Sequence, residues 1–88
     1  MDTIKLIVKN HRSEPMLVWI EPEAEDYWLL PGEECELRAN REDVDAHFVI
    51  HQDDEGLSFF PSLNCGSITV YQKDKELDYG HQRPENWI

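Results

Sequence analysis

Apolar and polar positions alternate with a period of two along most of the chain, and turn-forming residues separate the alternating runs at intervals of roughly eight to twelve residues. Residues 34–39 are the clearest case, because apolar side chains occupy every second position there. This pattern predicts an all-β protein, an antiparallel β-sandwich of seven or eight short strands, with no helix. The predicted strands cover residues 4–9, 16–20, 27–30, 34–39, 46–51, 57–60, 67–71 and 77–79.

Two features refine this arrangement. Residues 16–20 are apolar on both faces, which predicts a central strand or one whose outer face carries a binding patch. Pro31 and Gly32 have the residue types of a type II turn, so we expect a hairpin between residues 27–30 and 34–39. Cys35 falls on the apolar face of the returning strand and is predicted to be a small core residue.

The 88-residue chain is long enough for one hydrophobic core. We expect a single sandwich domain over residues 1–79. Residues 80–88 have no period and are predicted to form a tail that Trp87 and Ile88 could pin.

An apolar content of 40% with three Trp, three Tyr and three Phe predicts a folded chain. The first residues lack the basic and apolar regions of a secretion signal, and the longest unbroken apolar stretch is Met16–Ile20, far too short for a membrane span. These features predict a cytoplasmic protein. Cys35 and Cys65 are therefore expected to remain free thiols, with a disulfide as the less favoured interpretation.

The spacing of metal-binding and nucleophilic residue types argues against most kinds of metal site and catalytic site. His47 and His51 would lie roughly 13 Å apart along one strand and could not hold the same ion. Pairing Cys65 with a histidine is generic in a chain with two Cys and four His. We therefore predict no enzyme, no metal centre and no cofactor. One alternative stays open, in which His51 and Asp53, with His47, bind a cation or small ligand.

The net charge of −11 opposes direct binding to nucleic acid or an anionic membrane and favours a protein partner with a basic surface. Eleven of the nineteen acidic residues lie in residues 14–45, where Trp and Tyr accompany them. Aromatic side chains among charges are typical of interaction sites. The predicted binding residues are Trp19, Glu21, Glu23, Glu25, Asp26, Tyr27, Trp28, Glu34 and Glu36. Alternatively, the acids only solubilise the protein and Trp19 and Trp28 belong to the core.

The N-terminal half resembles small bacterial proteins of unknown function. The resemblance covers roughly residues 4–37 and rests on Val8-x-Asn10, on Leu17-x-Trp19-x-Glu21-Pro22, and on the turn at Pro31-Gly32-Glu33. It implies a bacterial, cytoplasmic β-sandwich, and it carries no active-site residues.

Taken together, these features predict a non-enzymatic, acidic protein-binding module. Inhibitors, immunity-type proteins and nucleic-acid mimics belong to this class. A metal- or small-ligand-binding sandwich is the alternative. A homodimer is also possible, because a second copy could cover the outer face of residues 16–20.

Overall fold

The computed structural model describes residues 2–87, and within this range the chain forms eight strands and no helix. The predicted all-β, sandwich-like fold is confirmed. The strands are β1 (Asp2–Lys9), β2 (Met16–Ile20), β3 (Glu25–Leu29), β4 (Glu34–Arg41), β5 (Phe48–Gln52), β6 (Gly56–Pro61), β7 (Thr69–Gln72) and β8 (Lys75–Glu76).

The strands form two four-stranded sheets. Sheet A has the order β1-β4-β7-β8 and is antiparallel throughout, whereas sheet B has the order β3-β2-β6-β5. The predicted central position of β2 is confirmed, since it lies between β3 and β6. In a departure from the expected antiparallel pairing, β2 and β6 run parallel.

The core lies between the sheets and follows from the alternation along each strand. Most inward residues of both sheets are buried, and Cys35 is among them, as predicted. Burial of these side chains supplies the main driving force for folding a chain of this size. The largest side chains that are almost completely buried are those of Phe59, Ile20, Leu29, Leu37, Val18, Val70 and Asn10.

The Pro31-Gly32 segment forms a turn, but the predicted hairpin is wrong. Gly32 has a φ of 85°, and the amide of Glu33 donates to the carbonyl of Leu30 at 3.0 Å. These are features of a type II turn. However, β3 and β4 belong to different sheets, so the turn carries the chain across the sandwich.

Buried Asn10 explains why the chain crosses there. Its side-chain amide donates to the carbonyls of Glu14 and Leu29 at 2.8 and 2.9 Å. Its main chain bonds to Glu33 and Gly32, each at 2.9 Å. Because a buried amide needs such partners, Asn10 ties the β1–β2 loop to the turn between the sheets.

The predicted strand over residues 77–79 is also wrong. Lys73 and Asp74, with φ of 50° and 65°, form a two-residue turn, and β8 ends at Glu76. The amide of Leu77 still bonds to Val70 at 2.8 Å, and its side chain is buried. Beyond Leu77 the chain leaves sheet A and reaches the edge of sheet B, closing that side of the sandwich.

The C-terminal segment runs along β3. The amide of Gly80 donates to the carbonyl of Asp26 at 2.6 Å, and the amide of Trp28 donates to that of His81 at 2.9 Å. Trp87 then packs edge-on against Trp28 and Trp19, with ring centroids 5.4 and 6.3 Å away. The outer face of β2 is therefore covered from within the chain. Ile88, the other predicted anchor, lies outside the described residues.

Gly56 is required where β6 starts beside β2. A Cβ atom on Gly56 would lie 1.9 Å from the carbonyl oxygen of Leu17, which belongs to the rigid backbone of a central strand. We expect Gly56→Ala to lower the free energy of unfolding by about 2–3 kcal/mol, because the two strands must separate locally. Urea denaturation followed by tryptophan fluorescence measures this change.

The matched control is Gly66→Ala, since a Cβ there meets only ordinary contacts with Asn40, the nearest at 3.5 Å. We expect it to change stability by less than about 0.5 kcal/mol. Equal effects of the two substitutions would contradict the close approach of β6 to β2.

Candidate functional site

Segment 76–79 forms a ridge between two depressions whose linings are acidic. Residues 76–79 line both depressions. One depression lies against the outer face of sheet A, and the other lies beside β3. We call the carboxylates that line them the acidic surface, which comprises Glu23, Glu25, Glu33, Glu34, Glu36, Asp74, Glu76 and Asp78.

The strand register of sheet A determines which side chains lie next to each other in the first depression. Glu36 lies opposite Tyr71, and Tyr71 lies opposite Glu76, so a tyrosine separates two glutamates on neighbouring strands. The guanidinium of Arg38 lies 3.8 Å from the centre of the Tyr71 ring, bonds to Glu36, and reaches Asp74 at 3.0 Å. This cluster shows that the depression already accommodates one guanidinium on an aromatic ring.

The second depression lies beside the inward face of β3. Glu23, Glu25, Glu76 and Asp78 line it, and no basic side chain does so among the described residues. Burial raises the pKa of the Tyr27 hydroxyl, as do its hydrogen bond to Glu25 at 3.0 Å and the nearby charges of Glu76 and Asp78. The charges of Glu25, Glu76 and Asp78 therefore all act on the Tyr27 hydroxyl.

The acidic surface has an excess of negative charge. Its two depressions contain eight carboxylates against Arg38, Lys73 and Lys75. Among the ion pairs of residues 2–87, none involves Glu34, Glu76 or Asp78. Tyr79, which is 65% exposed, lies in both linings. Free carboxylates around an exposed aromatic ring can bind cationic side chains.

Glu33 is held in place at the edge of this surface. Burial alone would raise the pKa of Glu33, but the side-chain amide of Gln82 and the main-chain amide of Leu30 each donate to it at 2.8 Å. The net effect is a lowered pKa, so Glu33 stays ionised. The C-terminal segment thus fixes one carboxylate of the acidic surface.

The structure separates the nine predicted binding residues into three groups. Glu23 and Glu25 line the second depression, and Glu34 and Glu36 line the first. Trp19 and Glu21 lie elsewhere, with the indole of Trp19 donating to Glu21 at 2.9 Å on the outer side of sheet B. The third group is buried and consists of Asp26, Tyr27 and Trp28. Tyr27 also contributes to the lining of the second depression.

Residues 76–79 were missed as site residues. They join the two halves of the acidic surface, yet the sequence pattern placed Glu76 in a turn and residues 77–79 in a strand. The alternation of Glu76 and Asp78 with Leu77 and Tyr79 was the available signal. This alternation predicts one buried side and one charged side, and the prediction is correct for Leu77 and the two acids. It does not indicate where in the fold the segment lies.

Asp26 is the buried carboxylate behind this surface. It is 3% exposed, and both its oxygens accept hydrogen bonds from Arg83, at 2.8 and 2.6 Å. The indole of Trp28 donates to it as well, at 2.9 Å. These partners lower the pKa of Asp26 against the opposing effect of its burial.

The predicted ligands of a cation, His47, His51 and Asp53, do not converge on one site. Within residues 2–87, no group of three or more His, Cys, Asp or Glu side chains could hold a metal ion. The His47 ring bonds to the carbonyl of Asp45 at 2.7 Å, and His51 packs on Phe60 at 4.7 Å. Asp53 accepts the amides of its own turn, from Glu55 and Gly56.

Both cysteines are free thiols, as predicted. Cys35 is buried, and desolvation with the nearby charge of Glu34 raises its pKa to about 12. The partly buried Cys65 thiol lies 3.9 Å from the main-chain carbonyl of His47. The raised pKa and the burial of Cys35 keep its thiol protonated.

No family model, curated protein or solved structure matches this chain. Residues 2–87 contain no helix long and apolar enough to cross a membrane. The candidate site is therefore defined by geometry and charge alone.

The Asp26–Arg83 pair makes stability depend on pH. The pKa of Asp26 is lowered in the folded state, so its contribution is present above the unfolded value of about 3.9 and is lost as pH falls through the folded value. We expect Asp26→Asn to cost about 1–3 kcal/mol at pH 7, since Arg83 is left without its partner. The cost should shrink below about pH 4. Urea denaturation across pH measures it.

Asp2→Asn is the control, because it removes an exposed carboxylate that pairs with Arg41 at 2.5 Å. An exposed pair of this kind contributes less than about 1 kcal/mol. A cost of Asp26→Asn that equals that of Asp2→Asn at pH 7 would contradict the structural role of the Arg83 pair.

Thiol titration of the native protein should distinguish the cysteines. We expect Cys35 to resist a disulfide reagent such as dithionitrobenzoate until the protein unfolds, because its thiol is buried and protonated. Cys65 should react first. The Cys65→Ser variant reports on Cys35 alone, and rapid labelling of this variant in the native state would show that the core is open.

Proposed function

We propose that this protein is a non-enzymatic binding module that holds a basic segment of another protein on its acidic surface. The observation that carries this proposal is the position of segment 76–79. It borders two depressions that eight carboxylates line, and it includes Tyr79, which is exposed and belongs to both linings. A ridge between two acidic depressions can receive cationic side chains on both sides of one bound segment.

The positions of the charged side chains support this function more directly than the net charge of the whole chain does. Glu34, Glu76 and Asp78 have no ion-pair partner within the described chain, so a bound cation need not displace an internal one. Arg38 already lies on Tyr71 between Glu36 and Asp74, and it illustrates how an incoming arginine could bind. Electrostatic complementarity of this kind accelerates encounter and selects basic partners.

Proteins that cap a basic active site and mimics that occupy a basic groove both belong to this class. Partners that present phosphate groups are disfavoured by the same charge. We also propose a bacterial, cytoplasmic setting, which the two free thiols and the N-terminal resemblance support.

The test removes two unpaired carboxylates of the ridge. We expect the double variant Glu76→Gln/Asp78→Asn to bind a labelled peptide of alternating arginine and glycine about five- to tenfold more weakly than the wild type. Fluorescence anisotropy at low salt measures the affinity. Raising the salt to about 300 mM should weaken wild-type binding and narrow the difference, because the exposed charges are screened.

The matched control is Glu42→Gln/Asp54→Asn, which removes the same charge at exposed positions outside both depressions. It should reduce affinity by less than about twofold. If both double variants weaken binding equally, the peptide responds to net charge alone and the proposed site is wrong.

A further inference from the structure

Strand β5 is the unprotected edge of the sandwich. A free edge strand exposes unpaired main-chain groups and is usually blunted by charge, shortness or a covering segment. The edge strand β1 contains Asp2, Lys5 and Lys9, and β8 has only two residues. The β3 edge is covered by the segment that follows Gly80. Only β5, among the edges of residues 2–87, has none of these protections.

The side chains of β5 make this edge apolar. The strand Phe48–Gln52 contains no Lys, Arg, Asp, Glu or Pro. Val49 is 47% exposed and Ile50 is 50% exposed. Ile50 lies opposite Phe59, which is 1% exposed, so Ile50 faces the core side of sheet B at its open end. Leu63, close in sequence to β6, is fully exposed as well.

The hydrogen bonds of the β5–β6 hairpin show which main-chain groups point outward. The amide of Asp53 bonds to Gly56 at 3.0 Å, and the amide of Ser62 bonds to His47 at 2.9 Å. Hydrogen-bonded and non-hydrogen-bonded pairs alternate along an antiparallel ladder. The odd-numbered residues of β5 therefore bond to β6. The N–H and C=O groups of residues 48, 50 and 52 point away from the sheet.

We infer that β5 is a self-association edge, at which a second copy of this chain adds its own β5 in antiparallel orientation. Placing Ile50 opposite Ile50 of the second copy puts Phe48 opposite Gln52. All three outward-pointing residues then find partners, with two hydrogen bonds in each pair. The two half-exposed Ile50 side chains meet on the core side and bury each other.

The polar side chains at the ends of the strand fit this register. His47 comes to lie opposite Asp53 of the second copy, and the two-fold symmetry repeats this pair. One step further out, Asp45 would oppose Glu55, which is unfavourable and limits the pairing to the strand. A sequence that is complementary to itself in antiparallel register favours a second copy over an unrelated strand.

This dimer is independent of the proposed binding function. The acidic surface lies beside β8 and β3, whereas β5 is at the opposite end of sheet B from β3. Self-association therefore leaves the acidic surface of each copy accessible. A dimer would hold a partner with two basic segments more tightly than a monomer would.

Sedimentation equilibrium tests the proposal on the whole chain. At about 100 μM we expect the wild type to shift from the 10.4 kDa monomer toward twice that mass. Ile50→Lys should remain monomeric, because two buried ammonium groups would meet at the symmetry axis. Ile7→Lys is the matched control, since Ile7 is 60% exposed on β1, and it should dimerise like the wild type. Circular dichroism checks that both variants fold.

Cross-linking tests the register. In a Cys65→Ser background, Ile50→Cys should form an intermolecular disulfide on mild oxidation, because directly opposed residues lie within about 5.5 Å. Val49→Cys should cross-link at least tenfold more slowly, since residue 49 lies opposite residue 51. A wild type that stays monomeric, or equal cross-linking of the two cysteine variants, would overturn the proposal. Neither result would affect the peptide-binding test.

Discussion

The ion pair between Asp26 and Arg83 is the contact on which the remaining architecture depends. Asp26 lies on the outer side of β3, where a lone buried carboxylate would be strongly destabilising, and two hydrogen bonds from Arg83 compensate for its burial. The pair fixes the C-terminal segment along β3 and brings Trp87 onto Trp19 and Trp28. A second apolar layer thereby covers sheet B. In a domain of 88 residues, this layer adds burial that a two-sheet core alone would lack.

The same anchoring creates the acidic surface. Because residues 80–82 are hydrogen-bonded to β3, the chain must cross from β8 to that edge within residues 77–79. This crossing brings Glu76 and Asp78 between the carboxylates of β3 and those of β4. The mutual repulsion of these groups raises the cost of folding, and the contacts of Arg83 and Gln82 offset it. The candidate site is thus a consequence of how the sandwich closes on one side.

The local sequence pattern predicted the positions of the strands far better than it predicted which strands pair with each other. The strict alternation of β4 and the two-sided apolar character of β2 were sufficient to place both strands correctly. The final turn was predicted over residues 72–76, wider than the two residues that form it, because Lys73 and Asp74 lack the Asn or Gly typical of a two-residue hairpin. Asp26 was predicted to lie at the surface because its neighbours are acidic. Its burial depends on Arg83, 57 positions later in the chain, and no local pattern records such a contact.

The distribution of charge reconciles a strongly acidic chain with an edge suited to self-association. Three strand spacings, roughly 14 Å, separate β3 from β5 in sheet B. In a pair joined at β5, the two β3 strands would lie about 34 Å apart, several times the screening length of about 8 Å at physiological ionic strength. Repulsion between the two acidic surfaces therefore contributes little at β5. The same charge strongly opposes any approach through the β3 and β8 side. In the proposed dimer, the position of the charges therefore determines which edge pairs, and the net charge does not oppose pairing at β5.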